Sequence, residues 1–301
     1  MRRDGSRDDG RAMASKLALG TAQFGLKYGI ANGRGQVALD EVAAIVRFAW
    51  QKGIDTLDTA VAYGESETRL GRIGVTGWRV VSKLPGLPED CRDVRSWVER
   101  NVMGSLERLG LESLHGLLLH RTDDLATSRG DELHSAMQRL KSSGVVRRVG
   151  LSVYDTEELA EYGKRFAFDL IQAPFNIFDR RIQVSGWLKR LKEQGVEVHA
   201  RSAFLQGLLL MPSHHRPKFS RWQPLWTAWD RWLAESKLTP VAACLGFALR
   251  HPEIDRMVVG VDDAEQLRAL LEAEASSPVD PPAELATNDR DLINPSRWST
   301  L

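Results

Sequence analysis

The length, composition and charge of the chain are those of an ordinary globular protein. Its 301 residues include 41 basic and 40 acidic side chains, and the formal net charge of +1 provides no field for steering a polyanion. No stretch approaches the roughly 20 apolar residues of a membrane span, and the start of the chain lacks the apolar core of a signal peptide. The sequence therefore predicts a cytoplasmic protein with no nucleic-acid or membrane partner, and it leaves monomer and homo-oligomer both open.

Short runs rich in Val, Ile and Leu alternate along the chain with amphipathic stretches of helical period. This alternation is typical of repeated β-α units on a parallel sheet. The predicted strands lie at residues 17–21, 56–59, 79–83, 116–120, 148–152, 170–173, 197–202 and 257–261. Eight strands are more than an open six-stranded sheet can use, so the sequence predicts an α/β fold, a single-domain (β/α)8 TIM barrel.

Helices are predicted between and after these strands. Asp131, Asp155 and Thr239 are expected to cap three of them, because their side chains can accept hydrogen bonds from free backbone N–H groups. The predicted helices lie at about residues 39–53, 65–73, 92–109, 131–143, 155–164, 183–194, 239–250 and 263–274.

Three segments depart from the repeat. Residues 1–15 are predicted to be a flexible extension before a barrel that occupies 16–301. An insertion at about 205–238 carries four tryptophans that share one helical face, and the stripe either packs an extra helix onto the barrel or walls a substrate pocket. The polar tail from about 276 either folds back over the active face or hangs free. The four tryptophans are Trp222, Trp226, Trp229 and Trp232.

Four polar residues lie at or just after the ends of neighbouring strands: Asp58, Tyr63, Lys83 and His120. Reacting groups of a barrel lie at the carboxyl ends of its strands, so these side chains can converge. Carbonyl reduction by hydride leaves negative charge on oxygen and needs a proton donor there. We expect Lys83 to lower the pKa of the Tyr63 phenol, Asp58 to keep Lys83 charged, and His120 to bind the same substrate oxygen.

Each of these residues also has an ordinary structural explanation. Lys83 could extend along the surface from a strand end, and His120 could be bonded to backbone. Asp58 could cap the next turn, and Tyr63 could be a packed aromatic. The occurrence of all four at the ends of neighbouring strands favours the catalytic interpretation. Cys91 and Cys244 are far apart in sequence and indicate no metal site, so we predict none.

The residues resemble the aldo-keto reductases over nearly the whole chain. Leu19-Gly20-Thr21-Ala22-Gln23-Phe24-Gly25 is similar to the opening strand and turn of that family, and Leu57-Asp58-Thr59-Ala60 with Tyr63-Gly64 to its Asp/Tyr motif. Ser82-Lys83 and Leu118-Leu119-His120-Arg121 are similar to its lysine and histidine strands. The resemblance implies an NAD(P)H-dependent oxidoreductase that reduces an aldehyde or ketone, with Tyr63 as general acid and Asp58, Lys83 and His120 completing a tetrad.

The resemblance also implies a set of cofactor-binding residues. Val153 stands where the family usually has Asn, and Arg201 replaces the customary tyrosine under the nicotinamide ring. The guanidinium of Arg201 could stack on that ring, or Arg201 could be a salt-bridged residue at a strand end. The implied set is Gly20, Thr21, Ser152, Gln172, Arg201, Ser202, Phe204, Gly207, Gly260, Asp262 and Gln266.

The cofactor preference depends on the segment after the eighth strand. The family commonly carries basic residues there for the 2′-phosphate, whereas this chain has Asp262, Asp263 and Gln266. Carboxylates repel a phosphate and bind a ribose diol. The resemblance implies NADP first and NAD as a plausible second, and either aspartate could instead cap the last helix.

Two other functions fit parts of the pattern. A nucleotide-binding, redox-sensing or regulatory subunit with little turnover would explain the altered nicotinamide contacts. A Schiff-base lyase would use Lys83 as a nucleophile. The complete tetrad favours the reductase, acting on a small-molecule carbonyl substrate.

Overall fold

The fold is a closed barrel of eight parallel strands, seen in a computed structural model that describes residues 15–275 and 280–300. Each strand pairs with the next, and the last pairs with the first, Gly20 beside Gly260. This confirms the predicted single-domain (β/α)8 TIM barrel. The strands are β1 (Leu17–Gly20), β2 (Thr56–Asp58), β3 (Arg79–Leu84), β4 (Leu114–Leu119), β5 (Val146–Ser152), β6 (Leu170–Pro174), β7 (Glu197–Arg201) and β8 (Arg256–Gly260).

Helices alternate with the strands and cover the barrel. In the described residues they are α1 (Ala22–Gly25), α2 (Leu39–Gln51), α3 (Ser66–Ile73), α4 (Val94–Leu109), α5 (Gly130–Ser142), α6 (Thr156–Tyr162), α7 (Arg181–Val184), α8 (Trp187–Glu193), α9 (Gln223–Ser236), α10 (Pro240–Leu249), α11 (Ala264–Glu274) and α12 (Arg290–Ile293). All eight predicted helices have a counterpart in this set.

Two local predictions about the helices were wrong. The helix expected at 183–194 is split into α7 and α8, because Gly186 between them adopts a left-handed φ of 78°. Asp131 does not cap α5, which already begins at Gly130, so Asp131 lies in the first turn. The other two caps are confirmed: the side chain of Asp155 accepts from Glu157 N, and that of Thr239 accepts from Ala242 N.

The insertion after β7 forms three short 3₁₀ segments and then α9. Trp226, Trp229 and Trp232 of α9 are buried, and the ring of Phe178 lies 5.1 Å from Trp226 and 5.8 Å from Trp229. The tryptophan stripe therefore packs an extra helix onto the barrel, the first of the two predicted explanations.

The described part of the tail, 280–300, packs beside α9. Leu285 and Leu292 are fully buried, and the indole of Trp222 donates to Asp289 at 2.9 Å. Arg290 pairs with Asp155 at 3.0 Å, which fixes the tail to the loop after β5. The predicted extension lies outside the described residues except for Ser15, as does the start of the tail at 276–279.

Candidate active site

A buried ion pair joins the ends of β2 and β3. Lys83 Nζ lies 2.7 Å from both carboxylate oxygens of Asp58 and donates to Thr59 O at 3.0 Å. The Lys83 side chain is 1% exposed. Burial lowers the pKa of Lys83, and the Asp58 carboxylate opposes that change. Since Lys83 is enclosed and held by three oxygens, it is not placed to act as the nucleophile of a Schiff-base lyase.

A chain of hydrogen bonds extends from Asp58 to β5 and β6. Gln172 Nε2 donates to Asp58 Oδ1 at 2.6 Å, and Ser152 Oγ donates to Gln172 Oε1 at 3.0 Å. Both residues are buried. Sequence reasoning gave Ser152 and Gln172 to the cofactor, but their side chains bond to each other and to Asp58. In the structure, these two side chains support Asp58.

Tyr63 reaches this ion pair from the turn after β2. Its backbone is held by Tyr63 N to Ala60 O and Ser66 N to Tyr63 O, both 3.0 Å. Gly25 of α1 packs against that turn so closely that a Cβ there would lie 1.7 Å from Tyr63 O. Lys83 Nζ lies 3.4 Å from the phenol oxygen and 5.0 Å from the ring centroid. The phenol and the ammonium are therefore in contact, as expected.

The expected lowering of the Tyr63 pKa was wrong, because other influences outweigh that contact. Burial raises the pKa of Tyr63, and the Asp58 carboxylate raises it further, while Arg201 opposes both. The Asp58 carboxylate lies 2.7 Å from Lys83, so it offsets part of the stabilisation that the ammonium gives to a phenolate at Tyr63. Tyr63 consequently holds its proton at neutral pH and releases it only to a stronger base.

His120 completes the group from the end of β4. Its ring centroid lies 5.8 Å from that of Tyr63, with the two planes at 84°. Burial, followed by the charge of Lys83, lowers the pKa of His120 to about 4. The imidazole is therefore neutral at pH 7 and keeps one N–H donor.

A cavity of about 400 Å³ opens beside these residues at the carboxyl ends of the strands. We call the part lined by Asp58 and Tyr63, after β2, the Tyr63 end, and the part lined by Asp262 and Gln266, after β8, the far end. Its volume is within the range of pockets that hold small molecules. Lys83, Ser152 and Gln172 are buried behind the lining, and the half-buried His120 adjoins it through the ring of Tyr63. The predicted cofactor residues that line it are Gly20, Thr21, Arg201, Ser202, Phe204, Gly207, Gly260, Asp262 and Gln266.

Comparison with known proteins identifies the family of the chain and supports its fold. The sequence profile of the aldo/keto reductase family matches residues 16–281, which is most of the chain. The chain belongs to the aldo/keto reductase family. An aldo-keto reductase of Bacillus halodurans has the same fold, with a TM-score of 0.69, 21% identity and 89% of each chain covered.

Two curated relatives of this aldo-keto reductase carry named activities. The L-glyceraldehyde 3-phosphate reductase of Escherichia coli is 29% identical over 61% of this chain and 59% of its own length. The chain thus spans about three fifths of that relative. The D-threo-aldose 1-dehydrogenase of a Pseudomonas species is 28% identical over 83% of this chain and 89% of its own length.

The loop after β7 of this aldo-keto reductase has an unusual backbone. Ser202, Leu205 and Gln206 have left-handed φ angles of 63°, 49° and 53°, a conformation that costs free energy and clusters at functional sites. Arg201 donates to Val153 O at 2.9 Å and to Ser202 Oγ at 3.2 Å. In the described residues no carboxylate pairs with Arg201, so the salt-bridged alternative is not observed.

Sequence reasoning missed the loop that follows α1. Gln206 Nε2 donates to the Tyr28 hydroxyl at 3.2 Å, and Ile30 N donates to Gln206 O at 3.2 Å. Further along, Asn32 Nδ2 lies 3.5 Å from Asp262 Oδ1. Tyr28, Asn32 and Gln206 all line the cavity, which this loop crosses. The signal for it was a glycine-rich run, Tyr28-Gly29-Ile30-Ala31-Asn32-Gly33, after the end of β1.

The two aspartates at the far end have different roles. Asp263 caps α11 by accepting from Gln266 N at 2.8 Å, and it pairs with Arg34 at 2.7 Å. Asp262 lines the cavity, and its backbone N–H donates to Gln266 Oε1 at 2.9 Å. The capping explanation therefore holds for Asp263 only. Burial, and then the charge of Asp263, raises the pKa of Asp262.

The part of the chain that the structure describes offers neither a metal site nor a membrane span. It holds no group of three or more His, Cys, Asp or Glu side chains that could bind a metal ion. Among the described residues, no helix is both long and apolar enough to span a bilayer.

Proposed function

We propose that the protein is an NAD(P)H-dependent oxidoreductase that reduces an aldehyde or ketone to an alcohol, with Tyr63 as general acid. The observation that carries the proposal is a protonated phenol, 3.4 Å from a buried ammonium, on the wall of the cavity. Relatives named as a reductase and a dehydrogenase of carbonyl compounds support it.

The proton is donated from Tyr63 to the substrate oxygen. An alkoxide is a far stronger base than a phenolate, so it removes the proton even from a phenol whose pKa is raised. Lys83 then lies beside the new phenolate, and Asp58 and Thr59 hold Lys83 in place. The neutral His120 donates a second hydrogen bond to the substrate oxygen. General acid catalysis of this kind contributes about 10²–10⁴-fold to the rate.

The residues around the cavity fit a nicotinamide dinucleotide. Gly20 and Gly260 stand side by side at the ends of β1 and β8, and Gly207, with a φ of 91°, turns the chain where it lines the cavity. When bound, the cofactor supplies hydride to the carbonyl carbon. Residues proposed to hold it are Gly20, Thr21, Arg201, Ser202, Phe204, Gly207, Gly260, Asp262 and Gln266.

We place NAD ahead of NADP, the reverse of the expectation from the family. Asp262 lines the end of the cavity where the adenosine is expected, and its carboxylate lies 3.5 Å from the neutral amide of Asn32. Arg34, the nearby cation, pairs with Asp263 at 2.7 Å. A carboxylate accepts hydrogen bonds from a ribose diol and repels a 2′-phosphate.

A nucleotide-binding sensor with little turnover is the second candidate. It is favoured by Ser152 and Gln172, whose side chains bond within the protein rather than lining the cavity.

Steady-state oxidation of NADH and NADPH with a panel of aldehydes separates the two functions, alongside a titration of nucleotide binding by tryptophan fluorescence. We expect turnover by the wild type, a loss of about 10²–10⁴-fold in Tyr63→Phe, and unchanged nucleotide affinity. Tyr162→Phe on α6 is the matched control and should behave as wild type. Full turnover in Tyr63→Phe would refute the assigned acid, and binding without turnover in the wild type would favour the sensor.

A further inference from the structure

Arg201 lines the cavity, and its guanidinium has unused hydrogen-bonding capacity. An arginine has five N–H donors, and those of Arg201 make two bonds in the described residues, to Val153 O and Ser202 Oγ. Both acceptors are uncharged. The guanidinium also lies 4.5 Å over the ring of Tyr154, which holds its plane in one orientation. Three donors are left for a ligand.

The charges around Arg201 do not cancel within the protein. Asp58, the carboxylate that lines the same end of the cavity, is already matched by Lys83 at 2.7 Å. His120 is neutral at pH 7 because its pKa is about 4. The other acidic residue of the lining, Asp262, belongs to the opposite end, with Asn32 and Gln266. The end of the cavity that contains Tyr63 therefore carries one net positive charge, that of Arg201.

A second donor stands near this cation. The Tyr28 hydroxyl lines the cavity and accepts a hydrogen bond from Gln206 at 3.2 Å, which leaves its own O–H free to donate. Arg201 lowers the pKa of both Tyr28 and Tyr63, opposing the effect of burial, so it lies within electrostatic reach of both phenols. Arg201, Tyr28 and Tyr63 thus line the same cavity.

From this arrangement we propose that the substrate carries an oxyanion, a carboxylate or a phosphate ester, and that Arg201 binds it with Tyr28. The inference rests on the proposed reductase function and names its substrate class. A planar guanidinium matches both oxyanions through paired N–H donors. A partly buried charge without a partner is unfavourable, and a bound oxyanion supplies that partner. Binding at Arg201 would place the carbonyl of the same molecule beside Tyr63.

The test compares neutral and anionic aldehydes of similar size on the holoenzyme. Butanal and succinic semialdehyde form the carboxylate pair; glyceraldehyde and glyceraldehyde 3-phosphate form the phosphate pair. The proteins are wild type, Arg201→Gln, Arg201→Lys and a control, Arg231→Gln, which removes an exposed arginine of α9 that pairs with Glu284. Whichever pair shows the larger preference identifies the oxyanion.

We expect the wild type to prefer the anionic member in kcat/KM by tenfold or more. A charged hydrogen bond is worth about 1.5–3 kcal/mol, so Arg201→Gln should lower kcat/KM for the anionic aldehyde about 10–100-fold through KM. Arg201 is also proposed to hold the cofactor, so the neutral aldehyde is the internal reference. The ratio of kcat/KM for the anionic over the neutral aldehyde should fall at least tenfold in Arg201→Gln, less in Arg201→Lys, and not at all in Arg231→Gln. An equal loss on neutral and anionic aldehydes would overturn the proposal, as would a weakened nucleotide affinity that accounts for the whole effect.

Calorimetry with succinate and inorganic phosphate keeps the anion site testable without turnover. At least one of the two should bind the wild type, and bind Arg201→Gln at least tenfold more weakly. Binding through Arg201 without reduction of any aldehyde would refute the reductase function and leave the anion site standing. Equal binding to both proteins, or binding to neither, would refute the anion site.

Discussion

The two ends of the cavity are built on different physical principles. At the Tyr63 end the polar side chains contact one another: Lys83, Asp58 and Gln172 form a buried chain with distances of 2.6–2.7 Å. At the far end Asp262 is partly exposed and Asp263 pairs with the exposed Arg34. At the buried end, the groups that carry out the chemistry must balance each other's charges and fix each other's orientations. At the far end, the choice between two nucleotides depends on the charge of one side chain on the cavity wall.

The largest effect is expected from breaking the buried pair. Lys83→Met leaves Asp58 as an uncompensated buried charge, which costs about 3–5 kcal/mol of unfolding free energy. Reduction should fall at least as far as in Tyr63→Phe, because the phenolate loses its adjacent cation. Denaturant unfolding and steady-state kinetics measure the two effects.

The double variant Lys83→Met with Asp58→Asn is the control for this experiment. It removes both charges, so it should recover much of the stability and none of the activity. Recovery of activity in the double variant would contradict the role of the ammonium.

A smaller effect is expected from the support of Asp58. Gln172→Leu removes the buried hydrogen bonds that Gln172 makes with Ser152 and Asp58. We expect this to lower the free energy of unfolding by about 1–3 kcal/mol. Turnover should drop while nucleotide affinity, measured by fluorescence titration, stays within about twofold. A large loss of affinity with unchanged kcat would restore the cofactor contact that the sequence implied for Gln172.

A substitution at the far end of the cavity should change the preference between NADPH and NADH and leave the turnover rate unchanged. Asp262→Asn removes the charge that repels a 2′-phosphate, so the NADPH/NADH ratio of kcat/KM should rise about tenfold, or ~1.4 kcal/mol. The kcat with saturating NADH should stay near the wild-type value. Asp90→Asn, at an exposed aspartate, is the matched control. An unchanged ratio would show that Asp262 does not meet the adenosine.

A last prediction concerns the pH dependence of stability. The pKa of His120 is about 4 in the folded protein, below the ordinary 6.5. Between these values the unfolded chain binds more protons, so the contribution of His120 to the free energy of unfolding rises with pH from 4 to 6.5 and is complete above that. Denaturant unfolding at pH 4.5 and 7 should show a smaller rise in His120→Gln than in wild type. The exposed His214→Gln should keep the full rise, and equal slopes in all three would contradict the neutral imidazole.

Sequence reasoning reached the barrel and the convergence of the tetrad because both depend on local patterns. Strand ends are marked by apolar runs that terminate in a polar residue, as at Asp58 and His120. The directions of Ser152 and Gln172, and the raised pKa of Tyr63, depend instead on contacts between separate strands. The crossing of the cavity by Tyr28 and its neighbours depends on loop packing, which no periodicity records.

Transfer of a label tests the central claim most directly. Reduction of an aldehyde with NADH deuterated at C4 of the nicotinamide can be followed by mass spectrometry and deuterium NMR of the alcohol. The account predicts one deuterium on the former carbonyl carbon with the wild type, and a rate about 10²–10⁴-fold lower with Tyr63→Phe. Nucleotide bound by the wild type without label transfer to any aldehyde, or equal transfer rates with and without the Tyr63 hydroxyl, would contradict it.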